Sequence, residues 1–161
     1  MKIVFTKNNY PLSILIRKIT GENVSHLAIV FDDIFLVELN LFGVSMNHFG
    51  KFKKKQKIIH EVDIKLIPEQ EEKIWKSMIE FYGLYKYDIV FLLYSAFCVI
   101  VKRLFKKEIK KKILDDDKKA LCYELILLLQ NSFNFNFGIE ENKKHLLTPG
   151  KIYTKLKESG Y

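Results

Sequence analysis

Three side chains of types that act together in chemistry stand far apart in this chain. They are His26 in Val24-Ser25-His26-Leu27-Ala28-Ile29-Val30, Glu38 in Val37-Glu38-Leu39-Asn40, and Cys122 in Ala120-Leu121-Cys122-Tyr123-Glu124-Leu125-Ile126. A thiol becomes a useful nucleophile when its pKa is lowered, and a helix N-terminus and a nearby imidazole are the two common means. The chain offers both, base first and nucleophile last. His26 interrupts an otherwise apolar strand, where an imidazole is either a satisfied core residue or a catalyst with partners. A buried carboxylate needs a partner. For Glu38 that partner is an imidazole to be oriented and stabilised when protonated, or else water at a strand end.

Hairpin register decides between these readings. A three-residue loop, Phe31 to Asp33, sets Glu38 directly opposite His26, whereas a two-residue turn at Asp32-Asp33 sends it to the other face. Asn40, two residues further along the same face, fills the orienting role if the hairpin is shifted. For Cys122 the question is where its helix starts. Asp115, Asp116, Asp117, Lys118 and Lys119 form a polar lead-in to the apolar run that begins at Ala120. A cap at Asp117 leaves the cysteine in the second turn; a start near Leu121 puts it where amides and dipole favour a thiolate.

The remaining candidates are weaker. Cys98, among leucines and valines, reads as an inert core thiol. His48, His60 and His145 lack metal-ligand spacing with each other or with a cysteine. Asp32-Asp33 and Asp115-Asp116-Asp117 read as turn and loop acids, and no phosphate-binding glycine loop appears. Neither a metal nor an organic cofactor is expected.

The elements that must position these residues follow from periodicity and punctuation. Strands are expected at 2–6, 24–31, 34–40, 44–47 and 57–66, with helices between and after them. Pro11 opens a helix over 12–19 that stops before Gly21, and Pro68 with its following acids opens one that runs to Tyr82. A long apolar helix covers 87–105. Its uninterrupted apolar core, Ile89 to Val101, is about 13 residues, short of the ~20 that span a bilayer. A helix around Cys122 runs to about Gln130, and the last is capped by Thr148 before Pro149 and stops at Gly160. The class is α+β, a small antiparallel sheet followed by a helical half that carries the thiol, in one domain over 1–161.

The 161 residues, 48% of them hydrophobic, suffice for a core without disulfides. No signal peptide is visible, and two cysteines in such a chain point to reduced thiols and a cytoplasmic setting. The net charge of +8 is concentrated in lysines 51, 53, 54, 55 and 57 and in Lys102, Arg103, Lys106, Lys107, Lys110, Lys111 and Lys112. Such clusters are either a solvated surface or a contact for an anionic partner. Arginine is scarce and no aromatics interleave with the lysines, so nucleic acid is not the expected partner. The apolar helix with its basic tail suits peripheral contact with a membrane surface or a lipid substrate, the alternative being a core helix with a solvated end.

The order of several short motifs resembles that of circularly permuted papain-like hydrolases, the YiiX-like branch of the NlpC-type superfamily, akin to the lecithin:retinol acyltransferase relatives. The motifs are Ile16-Arg17-Lys18-Ile19-Thr20-Gly21, Ser25-His26-Leu27-Ala28-Ile29-Val30, Val37-Glu38 with Gly43-Val44, Tyr82-Gly83, Tyr87-Asp88, Leu121-Cys122-Tyr123-Glu124-Leu125 and Thr148-Pro149-Gly150-Lys151-Ile152. Together they span nearly the whole chain, and their order and spacing carry the resemblance. It implies Cys122 as nucleophile, His26 as general base and Glu38 as the residue orienting the imidazole. The implied activity is that of a thiol-dependent hydrolase or acyltransferase cleaving an amide through a thioacyl-enzyme. Peptide, isopeptide and lipid amides all fit as substrate. The other function compatible with the same fold is a non-catalytic binding domain whose basic face contacts an anionic partner. Tyr123 departs from the pattern, because many relatives carry serine after the cysteine.

Overall fold

The computed structural model describes residues 1–82, 85–106, 119–133 and 135–161. Its first half is an antiparallel sheet of strands β1 (Lys2–Lys7), β2 (His26–Phe31), β3 (Phe35–Asn40), β4 (Gly43–His48) and β5 (Lys57–Asp63), in the order β4-β3-β2-β1-β5. Strand β2 is therefore central, which is why Leu27 to Phe31 is apolar on both faces: every one of those side chains is buried.

On one face, Ile3, Phe5, Leu27, Ile29, Val37 and Leu39 meet the helical half of the chain. That half comprises α3 (Pro68–Phe81), α4 (Ile89–Phe105), α5 (Glu124–Phe133) and α6 (Pro149–Glu158). Helix α1 (Pro11–Thr20) crosses from β1 to β2 and packs beside α4. Its stop is the expected one: Gly21 adopts φ 74° and donates its N–H to the Arg17 carbonyl. Likewise Thr148 caps α6, its hydroxyl accepting from the Lys151 N–H at 3.3 Å.

The opposite face of the sheet carries a smaller cluster, Val4, Ala28, Val30 and Leu36 under Phe49 and Phe52. Here the structure adds an element that the sequence reading did not place: between the strands expected at 44–47 and 57–66, where the first lysine cluster lies, Phe49–Lys53 forms a short helix, α2. Phe49 and Phe52, three residues apart, turn into the sheet and are buried, and Lys51 and Lys53 are left outside.

A second addition concerns the chain between the sheet and Cys122. Lys86–Tyr87 (β6) and Lys119–Ala120 (β7) pair as a two-stranded parallel ribbon. The expected acidic lead-in, Asp115 to Lys118, lies outside the described residues, as do Lys107, Lys110, Lys111 and Lys112.

Candidate functional site

His26 is the first residue of β2 and Glu38 lies inside β3. The hairpin between them has a three-residue loop, made of Asp32, Asp33 and Ile34 rather than Phe31 to Asp33, so that Phe31 pairs with Phe35 and Ile29 with Val37. Asp32 and Asp33 adopt φ of 51° and 54°, a left-handed pair that aspartate tolerates better than a bulky residue would. Continued along the strands, this register sets Glu38 across from Ala28 and Asn40 across from His26. Glu38 thus shares the face of His26 but stands on the diagonal, a separation a glutamate side chain bridges. Its Oε2 lies 2.8 Å from His26 Nε2.

Asn40, although opposite the histidine, does not orient it. Its Nδ2 donates to Ser45 Oγ at 2.8 Å and, over 3.4 Å, to Glu38 Oε1. Asn47 on β4 donates to the same carboxylate oxygen at 3.1 Å. One oxygen of Glu38 therefore faces the ring while the other is held by two amides. Asn47 was missed from sequence. Its signal is the alternation of Ser45 and Asn47, which stand across from Glu38 and Leu36 in the β3–β4 pairing.

Cys122 is brought to this hairpin by the β6–β7 ribbon. Tyr87 pairs with Ala120, and the Asp88 N–H donates to the Ala120 carbonyl at 3.0 Å. Asp88 also caps α4 by accepting from the Phe91 N–H at 2.7 Å. The chain then turns through Leu121 to Tyr123 and enters α5 at Glu124. The Glu124 N–H donates to the Leu121 carbonyl at 2.8 Å, and its carboxylate accepts from the Leu121 N–H at 2.6 Å. This reciprocal clamp works as a capping box does. It sets the helix start close to Leu121, leaving Cys122 in the turn just ahead of α5 rather than in the second turn. There the amides and dipole of the helix favour negative charge on sulfur.

The thiol is free, buried and close enough to the His26 imidazole to act on its pKa. With Nε2 turned to Glu38, Nδ1 is the nitrogen left for the sulfur. Burial works to lower the His26 pKa, but the hydrogen bonds and negative charges of Cys122 and Glu38 outweigh it and raise it to about 10. For Glu38 burial acts upward. The His26 hydrogen bond and charge, and then the amides of Asn40 and Asn47, pull it below the ordinary carboxylate range. The cluster is arranged to hold an imidazolium against the Glu38 carboxylate.

Tyr87, expected as the first residue of the apolar helix, lies instead in β6, because Asp88 caps α4 at Ile89, and it borders both compartments of the site. Burial first, and the charge of Cys122 second, push its ionisation well above the ordinary tyrosine range, so the hydroxyl keeps its proton. Tyr123, the departure at the position after the cysteine, is a buried anchor whose hydroxyl donates to the Lys144 carbonyl at 2.9 Å.

Two cavities meet at the cluster and share Leu12, Ile16, Ser25 and Tyr87 as walls. On the His26 side is a cavity of about 500 Å³ whose lining mixes Asn8, Lys51, Lys55 and Gln56 with apolar walls such as Leu41, Phe42 and Phe52. On the Cys122 side is a narrow cleft of about 70 Å³ between α1 and α4, lined mainly by leucine, isoleucine, alanine and valine.

The other sequence candidates stay apart from the cluster. Cys98 is buried in α4, as a core thiol should be. The His48 ring caps α2 by accepting from the Gly50 N–H at 3.0 Å, and His60 stacks on Tyr153 with ring centres 4.0 Å apart. His145 is buried near Tyr94. Among the described residues no three His, Cys, Asp or Glu side chains converge as a metal site.

No family model and no curated protein matches the chain. Among solved structures it is similar to one described as the crystal structure of metalloprotein YiiX from Escherichia coli O157:H7, DUF1105. The superposition has a TM-score of 0.57 at 19% identity and covers 98% of this chain and 79% of the other. The likeness is one of fold: the chain has a YiiX-like α+β architecture.

Proposed function

We propose that the protein is a thiol-dependent hydrolase or acyltransferase of the permuted papain-like type, with Cys122 as nucleophile, His26 as proton carrier and Glu38 as the residue that orients the ring. The observation that carries this reading is His26 held at 2.8 Å from a buried carboxylate, with the Cys122 thiol near enough to act on the ring's pKa. A thiol, an imidazole and an acid in series form the arrangement by which a weak nucleophile is activated and its base held in one orientation.

The reaction starts from a thiolate–imidazolium pair. The sulfur adds to the amide carbonyl and forms a C–S bond, and negative charge develops on the carbonyl oxygen. The Cys122 N–H, at the mouth of α5, is one donor for that oxygen, and the protonated hydroxyl of Tyr87 is the second. The imidazolium then gives its proton to the amide nitrogen as the C–N bond breaks, leaving a thioester and a neutral imidazole. Water or another acceptor, deprotonated by His26, attacks the thioester; the C–S bond breaks and the thiolate returns.

The two cavities sort the substrate by chemistry. The acyl part becomes bonded to sulfur and belongs in the apolar cleft, while the leaving amine takes its proton from His26 on the side of the larger cavity, where Asn8, Lys51, Lys55 and Gln56 offer polar contacts. An amide with an apolar acyl group and a polar amine fits this division. The YiiX structure is described as that of a metalloprotein. The described residues here do not fit such a centre, because no ligand trio converges and Nε2 of His26 is turned to Glu38.

The test is to trap the acyl-enzyme. Incubation with an activated aryl ester and intact-mass spectrometry should show one acyl adduct on the wild-type chain, placed on Cys122 by peptide mapping. The adduct should vanish in Cys122→Ser and form at least about a hundredfold more slowly in His26→Ala. Equal acylation of Cys98 and Cys122, or formation unaffected by His26→Ala, would refute the reading.

A further inference from the structure

Helix α4 buries one face, with Phe91, Ser95 and Cys98 turned inward. The sequence allowed a core helix with a solvated end; the structure instead leaves a second apolar face open. Val90, Leu93, Phe97, Ile100 and Leu104 recur at alternating spacings of three and four, which aligns them in one stripe, and they are 38–69% exposed. The helix is 17 residues long, and the stripe from Val90 to Leu104 runs roughly 21 Å along it. Beside it α1 adds exposed Ile14 and Leu15, which makes the patch two helices wide. Apolar surface of this extent on a small protein marks a contact.

The charges beside the patch identify what it contacts. Neither α1 nor α4 contains an acidic residue, and each ends in cations: Arg17 and Lys18 on α1, Lys102 and Arg103 on α4, with Lys106 as the cap of α4. The two ends are adjacent, since the Arg103 guanidinium reaches to within 3.3 Å of where a side chain on Gly21 would begin. A broad apolar face on two helices whose own charged residues are all cations is the pattern of a helix lying in a membrane interface, its side chains among acyl chains and its cations at the headgroups. A second copy in parallel register would set Arg103 and Lys106 against their own counterparts. A single partner helix would cover the stripe of α4 but leave the face of α1 uncovered. No described helix is long and apolar enough to cross a membrane, so the contact is one of lying on the surface.

We infer that the outer face of α4, widened by α1, docks the protein on an anionic lipid bilayer. Leu15 and Leu93 belong both to the docking face and to the walls of the cleft that leads to Cys122. A seated protein therefore turns that cleft toward lipid. Docking itself needs no chemistry at the thiol.

The test is co-flotation with vesicles of phosphatidylcholine, alone or mixed with phosphatidylglycerol. The wild-type chain should float with the mixed vesicles and not the neutral ones, and raising salt should release it. Phe97→Asn with Leu93→Asn, and separately Arg103→Glu with Lys106→Glu, should each lower partitioning by about tenfold or more. Circular dichroism of each variant should match the wild type, as these side chains are exposed. Cys122→Ser should float as the wild type does, so docking can stand or fall apart from the thiol chemistry. Wild-type chain that ignores anionic vesicles, variants that float undiminished, or a wild-type dimer that Phe97→Asn dissociates, would each overturn the assignment.

Discussion

Replacing Glu38 by glutamine removes a charge from behind His26 while keeping the size and an acceptor oxygen. The carboxylate and ring are 2.8 Å apart at their nearest atoms. With charge centres about 4 Å apart and an effective dielectric near 20, the attraction is about 4 kcal/mol, equivalent to roughly three pKa units. Because the amide oxygen still accepts from the ring, the net drop should be nearer two units, taking the imidazole from about 10 to about 8. Proton NMR of the ring hydrogens reads this directly, with His26→Ala assigning its signal among the four histidines. Linkage supplies a second readout. A pKa raised in the fold contributes stability that is present in full below the unfolded value of about 6.5 and is lost as pH rises through the folded value of about 10. Wild-type stability should fall across that window from this group, and Glu38→Gln should flatten the fall. A wild-type ring that titrates near 6.5, or a midpoint that Glu38→Gln leaves in place, would refute the claim that His26 is held as an imidazolium.

Other outcomes can be checked more quickly. Tyr87→Phe should lower kcat about ten- to a hundredfold with little change in KM, as expected for a donor to developing charge; an unchanged kcat removes it from the oxyanion site. Glu124→Ala breaks the Leu121 clamp and strips the buried Lys144 of a carboxylate 3.1 Å away. It should cost about 3 kcal/mol in a denaturant melt, and a loss below ~1 kcal/mol would show the clamp to be incidental. Gly43 has φ of 109°, and a side chain there would begin 2.6 Å from the Tyr85 carbonyl oxygen. Gly43→Ala should therefore destabilise by about 2 kcal/mol or more in a thermal or denaturant melt. Glu38, with its lowered pKa, contributes stability above its unfolded value near 4.5 that is lost as pH falls. The stability gap between the wild type and Glu38→Gln should therefore be full above that point and close as pH falls below it.

Much of the framework was legible because local signals agreed with the final packing. Pro68, the Thr148-Pro149 pair, Gly21 and the two-sided apolar run of β2 mark where backbone groups must be capped, turned or buried. These are properties of a few consecutive residues. The pairing of His26 with Glu38 was legible as a possibility, since a strand alternates faces and an acid in apolar company must find a partner. Its register was not: whether the loop starts at Phe31 or Asp32 depends on which residues the neighbouring strands and helices bury. Asn40 and Asn47 could not be sorted for the same reason. The contents of the lysine cluster were hidden as well, because only the sheet above them shows that Phe49 and Phe52 turn inward and make a helix there.

Sequence alone settled the residue types, an early imidazole, an acid near it and a late thiol, together with most of the elements that bear them. What tertiary structure decided was their meeting. The two-residue ribbon that carries Cys122 to the hairpin is too short to show any periodicity, and its pairing joins segments more than thirty residues apart, Lys86 with Lys119. Likewise an apolar helix looks the same in sequence whether one face or both are covered, and only the packing of α1 and of the short helical turn Glu141–Leu146 against α4 shows which side was left open. Composition fixes what a side chain can do; long-range contacts, which depend on every element at once, fix what it faces.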